Sequence, residues 1–258
     1  MRRSLAHLRN IVNSNNASTV RKWRGTRSKA YSTAYPVQLL ELYDREGCPQ
    51  CRFVREALTE LDLDAIIYPC PEGGERYAHR LQEASGAKAV PFLVDSNCAQ
   101  QLLGAQEIVD YLFDIYAQRP TPSALKVAGE NLAQSEKVSA MRKGRGQRKR
   151  DSQAPQQLLT LYSFESSPFS RPVREQLCEL ELAYRLVNLS KQKASDMGPA
   201  LMHFSLGKYQ PLPNTKRADF FAQHGNVQVP YLIDPNTDTE LFQSKDILKY
   251  LEQTYAQI

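Results

Sequence analysis

Apolar residues fall into short runs and helical spacings along this chain, and the two kinds alternate in the same order twice. The runs QLLELY (38–43) and QLLTLY (157–162) end at turn-forming residues and predict strands. Each leads into a proline motif that opens a helix. In the first copy Val54, Ala57, Leu58 and Leu61 recur at i, i+3, i+4 and i+7, and the second copy keeps Val173, Leu177 and Leu180 on that face. A second strand follows at DAIIYP or AYRLVNL, then a helical stretch, then a third strand beginning at VPFLVD or VPYLID. A short fourth strand lies near QQLL or TELF. The last helix carries Ile108, Leu112 and Ile115 in one copy and Ile247, Leu248 and Leu251 in the other. The predicted order is β-α-β-α-β-β-α, twice over.

The repetition extends to residue identity. Residues 39–61 and 158–180 match at 13 of 23 positions, and residues 90–117 and 229–256 match at 11 of 28. The offset grows from 119 to 139 residues between the two blocks, so the second copy carries an insertion near 190–225. The expected organisation is a basic N-terminal arm (1–36), a first module (37–118), a linker with a repeated basic motif (119–156) and a second module (157–258).

At 258 residues, with 41% hydrophobic and 24% charged positions, the chain has enough material for two small cores. Its net charge of +5 is unevenly spread. Residues 1–40 hold eight Lys/Arg and no Asp or Glu, and residues 137–150 hold seven with no acid, which leaves the modules acidic. The arm is Arg- and Ser-rich, as organellar transit peptides are. Yet RKWRGTR (21–27) returns as RKGRGQR (142–148), and a transit peptide has no reason to recur in mid-chain. Packing of the basic segments on the acidic modules is therefore expected, with anion or acidic-surface binding as the alternative. Five cysteines form no regular framework and no secretory segment precedes them, so a reducing, cytoplasmic setting is expected.

The motif Cys48-Pro49-Gln50-Cys51 stands where the first helix begins. Unpaired backbone N–H groups and the helix dipole favour negative charge there, so Cys48 is expected as a low-pKa thiolate, with Arg52 and Arg55 adding to the effect. Cys51, three residues on, is placed to resolve a mixed disulfide. A zinc half-site is the alternative, weakened because no second C-x-x-C exists, and no metal is predicted. Cys178 falls beside Leu177 on a helix and reads as a small core residue.

Taken with Val90-Pro91, Val229-Pro230, LLGAQEI, LFQSKDI and Ser167-Pro168-Phe169-Ser170, the sequence resembles the thioredoxin-like superfamily, specifically glutaredoxins and the N-terminal domain of glutathione S-transferases. The resemblance implies an α/β fold of two tandem thioredoxin-like modules, β-α-β-α-β-β-α each. Only about 40 residues (118–157) follow the first copy, so the all-helical C-terminal domain of those transferases is not expected, nor a conventional detoxifying activity. The resemblance further implies cis bonds at Pro91 and Pro230, with Val90 and Val229 presenting backbone to the cysteinyl part of glutathione. Gly104-Ala105 and Gln243-Ser244 would hold its γ-glutamyl end, with Pro49 in the thiol loop. Ser167, in the place of Cys48, would either stabilise the glutathione thiolate or belong to a copy kept as a packing partner.

The function so implied is a glutathione-linked thiol–disulfide oxidoreductase, or an atypical glutathione transferase. Cys48 is the nucleophile, Cys51 resolves, glutathione is co-substrate, and a disulfide or electrophile is the second substrate. The alternative is a non-catalytic tandem protein that binds glutathione, a partner or an iron–sulfur cluster.

Overall fold

The computed structural model describes residues 2–28, 34–198 and 208–257. The first repeat runs through α1 (Arg2–Val20), β1 (Leu40–Asp44), α2 (Pro49–Glu60), β2 (Ala65–Pro69), α3 (Ala78–Ser85), β3 (Phe92–Asp95), β4 (Gln100–Leu103) and α4 (Ala105–Ala117). The second repeats that order in α5 (Gly129–Met141), β5 (Leu159–Ser163), α6 (Arg171–Glu179), β6 (Tyr184–Asn188), α7 (Lys216–His224), β7 (Tyr231–Asp234), β8 (Thr239–Phe242) and α8 (Ser244–Tyr255). The strands and the helices of the β-α-β-α-β-β-α pattern fall where periodicity puts them. Val54, Ala57, Leu58 and Leu61 are fully buried, as are Val173, Leu177 and Leu180.

All eight strands join in one mixed sheet, ordered β4-β3-β1-β2-β6-β5-β7-β8. The repeats meet where β2 pairs antiparallel with β6, with Ala65 opposite Leu186, Ile66 opposite Arg185 and Ile67 opposite Tyr184. Ile66 and Arg185 are themselves equivalent positions of the two repeats, so a local two-fold axis passes between them. Edge-to-edge pairing satisfies backbone groups that either half-sheet would leave open. One continuous apolar cluster then spans both halves, from Leu40, Leu42 and Phe53 to Leu159, Val173 and Leu251.

The arm and the linker carry helices that the repeated pattern did not include: residues 1–36 contain α1 and residues 119–156 contain α5. Each helix lies on the other repeat. Ser18 of α1 donates to the Ser166 carbonyl at 2.7 Å, and Arg171 of α6 donates to the Ser14 carbonyl at 2.7 Å. In the symmetric position Ser135 of α5 donates to the Pro49 carbonyl at 2.7 Å, and Arg52 of α2 donates to the Ser135 carbonyl at 2.6 Å.

The basic motifs do pack inside the molecule. Arg21 makes a two-pronged ion pair with Glu56 of α2, at 2.9 and 2.6 Å, while its counterpart Arg142 does the same with Glu175 of α6, at 2.6 Å on both prongs. Gly25 and Gly146 close the turns with φ of +68° and +67°. A Cβ on Gly25 would lie 2.6 Å from Glu165 Cβ and 3.2 Å from Glu56 Cα, so both conformation and space demand glycine. Among the described residues no helix is long and apolar enough to cross a membrane.

Beneath these turns, charged side chains from both repeats are buried together. Arg55 donates to both oxygens of Asp44 (2.6 and 2.8 Å) and to Glu165 of the other repeat (3.0 Å). Arg174 donates to both oxygens of Glu46 (3.0 and 3.1 Å), to Ser163 (3.1 Å), and pairs with Glu165 at 2.8 Å. Burial alone would raise the Glu165 carboxyl, but Arg174 and Arg55 outweigh it and hold it down at about 2. Replacing Glu165 by Gln leaves two buried guanidinium groups short of a counter-charge, and we expect a loss of about 3–5 kcal/mol in urea unfolding at pH 7. Because the folded-state pKa lies below the unfolded one, this contribution is complete above the ordinary carboxylate range. The gap between wild type and Glu165→Gln should therefore close as pH falls from about 4.5 towards 2. Gly25→Ala should cost about 1–3 kcal/mol in the same assay.

Candidate functional site

Strand register brings the predicted motif pieces of the first repeat to one end of the sheet. Tyr43 pairs with Phe92, so the end of β1 that leads into Cys48 lies beside Pro91. Phe92 also pairs with Leu103, which sets Gly104 beside Pro91 on the other side. The Gly104 N–H donates to the Pro91 carbonyl at 3.0 Å. The Val90–Pro91 bond is cis, and so is Val229–Pro230. Gly104 caps α4 with φ of +106°, and Ala105 behind it is buried.

Cys48 is the N-cap of α2, with Pro49 at the first helical position, where its missing N–H costs nothing. The Cys51 N–H points at the Cys48 sulfur, 3.4 Å away. Cys48 is partly accessible and Cys51 fully buried; both are free thiols. The Cys51 thiol, the N–H groups of Cys51 and Gln50, and the Arg55 charge together stabilise a Cys48 thiolate. They outweigh burial and bring its pKa down to about 6. Burial pushes the Cys51 thiol up, and the neighbouring Cys48 charge adds to that. At neutral pH the pair is thus a thiolate in reach of solvent and a protonated thiol beneath it.

The two arginines expected to help divide the work. Arg55 acts on Cys48 and also fixes its loop, donating to the carbonyls of Arg45 (3.3 Å) and Glu46 (3.0 Å) as well as to Asp44. Arg52 turns instead to α5, donating to Ser135 and to Ser139 (3.0 Å). Asp44, which the sequence reading passed over, lies at the end of β1. Burial raises its carboxyl to about 6, against the pull of Arg55.

The model of the glutathione S-transferase N-terminal domain matches residues 42–120 and again 161–257. The chain belongs to that family. No curated protein and no solved structure matches it.

Within this glutathione S-transferase N-terminal domain protein the second repeat keeps the framework and changes the chemistry. Its cis proline Pro230 and the capping residue Gln243 (φ +68°) occupy the same positions as Pro91 and Gly104. The three ionisable residues Asp44, Cys48 and Cys51 are replaced there by Ser163, Ser167 and Ser170. Ser167 is 1% exposed, and its hydroxyl accepts from the Ser170 N–H (3.2 Å) and the Ser170 hydroxyl (3.0 Å). Ser244 is buried too, with its hydroxyl 3.3 Å from His7 of α1. Helix α1 therefore covers Ser244, and it is bonded to Ser166 and Arg171 on either side of the serine motif. Cys178, expected as a core residue, is buried and also bridges the repeats: it accepts from the Glu46 N–H (3.4 Å) and donates to the Gly146 carbonyl (3.3 Å).

The sequence did carry a signal for the buried charges. Glu46, Arg52, Arg55 and Glu56 are the polar positions that the first motif shares with Glu165, Arg171, Arg174 and Glu175. Alkylation of Cys48 by iodoacetamide, followed by peptide mass mapping, should rise with pH through a midpoint near 6. Cys51 should stay unlabelled across the same range. A midpoint near the ordinary thiol value of about 8.5 would contradict the electrostatics described.

Proposed function

We propose that the protein is a glutathione-linked thiol–disulfide oxidoreductase acting through the first repeat. The observation that carries this reading is the asymmetry of its thiol pair: a partly accessible, thiolate-favouring Cys48 at a helix N-cap, with a buried, protonated Cys51 one helical turn on. In the first step the Cys48 thiolate attacks one sulfur of a disulfide substrate. A new S–S bond joins Cys48 to that half, and the other half leaves as a thiolate that takes a proton from solvent. The mixed disulfide is then cleared in one of two ways. A glutathione thiolate attacks the half not attached to the protein and restores Cys48. Otherwise Cys51 gives up its proton and attacks the Cys48 sulfur; the bond to the substrate half breaks, that half leaves as a thiolate and takes up a proton, and two glutathione molecules reduce the resulting internal disulfide while becoming glutathione disulfide.

Glutathione binding is proposed for the cleft end of the first repeat. The cis Val90–Pro91 segment would pair with the cysteinyl backbone, and the Gly104–Ala105 cap would hold the γ-glutamyl carboxylate at the start of α4. For the second repeat, the burial of Ser167 and the contact of α1 with buried Ser244 support a bracing role in preference to a second glutathione site.

Glutathione-dependent reduction of a small mixed disulfide tests the proposal. Cys48→Ser should abolish turnover, a drop of at least about a thousandfold, while Cys51→Ser should keep a substantial part through the one-thiol route. Ser167→Ala should leave the rate within about twofold of wild type. No turnover in the wild type, or equal turnover in Cys48→Ser, would defeat the oxidoreductase reading.

A further inference from the structure

The two-fold relation between the repeats provides an internal control for every surface position. On α1 three large apolar side chains stand in solvent at i, i+3 and i+7: Leu5 (51% exposed), Leu8 (58%) and Val12 (52%). Trp23 in the following turn is 40% exposed, and Phe169, two residues before the Arg171 that holds α1, is 44% exposed. Their counterparts on the other side of the axis are Lys126, Gly129, Ala133, Gly144 and Gln50, all exposed. Inward positions of the same segments keep their chemistry: buried Ser14 matches Ser135, half-buried Asn10 matches Asn131, and buried Arg21, just past the helix, matches Arg142. Helix packing therefore does not require the apolar stripe, since α5 packs in the same way without it.

Charge changes along with apolarity. Helix α1 has no acidic residue in its sequence, which carries Arg2, Arg3 and Arg9. At the matching places α5 has Ser123, Ala124 and Glu130 before and within its first turn, and Glu136 where α1 has Asn15. Arg21 and Arg24 are committed to Glu56 and Glu60, but Arg9 is exposed. A helix with an outward apolar stripe flanked by arginines, and no acid anywhere in residues 1–40, is complementary to a surface that is apolar beneath and anionic at its rim.

We propose that α1 docks the protein on anionic lipid membranes. The helix lies in the headgroup plane with Leu5, Leu8 and Val12 inserted and Arg9 against lipid phosphates. This reading is independent of the oxidoreductase chemistry, because none of these residues belongs to the Cys48 site.

Vesicle flotation with the full chain tests it. The protein should float with phosphatidylcholine vesicles containing about 30% phosphatidylglycerol and stay behind with pure phosphatidylcholine, and raised salt should weaken the binding. Changing Leu5, Leu8 and Val12 together to Gln should lower partition at least about tenfold. Arg9→Glu, which installs the residue of the other repeat, should lower it by several fold. All four positions are exposed, so thermal melts of both variants should overlay wild type. Absence of flotation with anionic vesicles would overturn the proposal, as would flotation unchanged in the triple variant. A concentration-dependent dimer in light scattering, abolished by the triple variant without any vesicle binding, would also overturn it and assign the stripe to a second copy of the chain.

Discussion

A buried cluster of charge holds this molecule in one arrangement. Arg55 and Arg174 lie on equivalent helices of the two repeats, and each reaches across to the other's acid, Glu165 and Glu46. Charges removed from water are costly unless each hydrogen bond is met, and here the guanidinium groups find carboxylates and loop carbonyls on both sides of the junction. Each arginine pairs with acids of its own repeat and also with the facing acid of the other. The cross-paired helices α1 and α5, the glycine turns and the β2–β6 seam all close around this cluster.

The same cluster gives the serine copy a reason to exist. Glu165 belongs to the repeat without the C-x-x-C pair, yet it anchors the arginine that fixes the loop of Cys48 and favours its thiolate. The motifs share Glu46/Glu165, Arg52/Arg171, Arg55/Arg174 and Glu56/Glu175, which build the framework. They differ at Asp44/Ser163, Cys48/Ser167 and Cys51/Ser170, the positions to which the proposed chemistry is assigned. Shared positions hold the halves together, and one half alone keeps a pair of thiols at its helix N-terminus.

Much of this was legible in the chain. Short apolar runs marked the strands, and i, i+3, i+4 spacings marked the first and last helices of each repeated pattern, because each buries one face on a common core. The motif pieces Cys48, Pro91 and Gly104 were readable because short local signals mark them, and register does the work of assembling them. Helices α1 and α5 were missed because they bury serines and one or two apolar residues in place of an apolar stripe, as Ser14, Ser18 and Ser135 show. In α1 the apolar stripe faces outward, so its periodicity points away from the core. The charge cluster was missed because Arg and Glu read as surface residues one at a time; only the coincidence of both motifs at those positions hinted that they face each other.

If Cys48 is the one reacting thiol and the rest of the two-repeat frame prepares it, peptide mass mapping of the Cys51→Ser variant will show this after brief exposure to glutathione disulfide near neutral pH. One glutathione per chain is expected, on Cys48, with the more exposed Cys98 unmodified over the same time. Glutathione found first on Cys98 or Cys70, or on no cysteine at all, would contradict this role of Cys48.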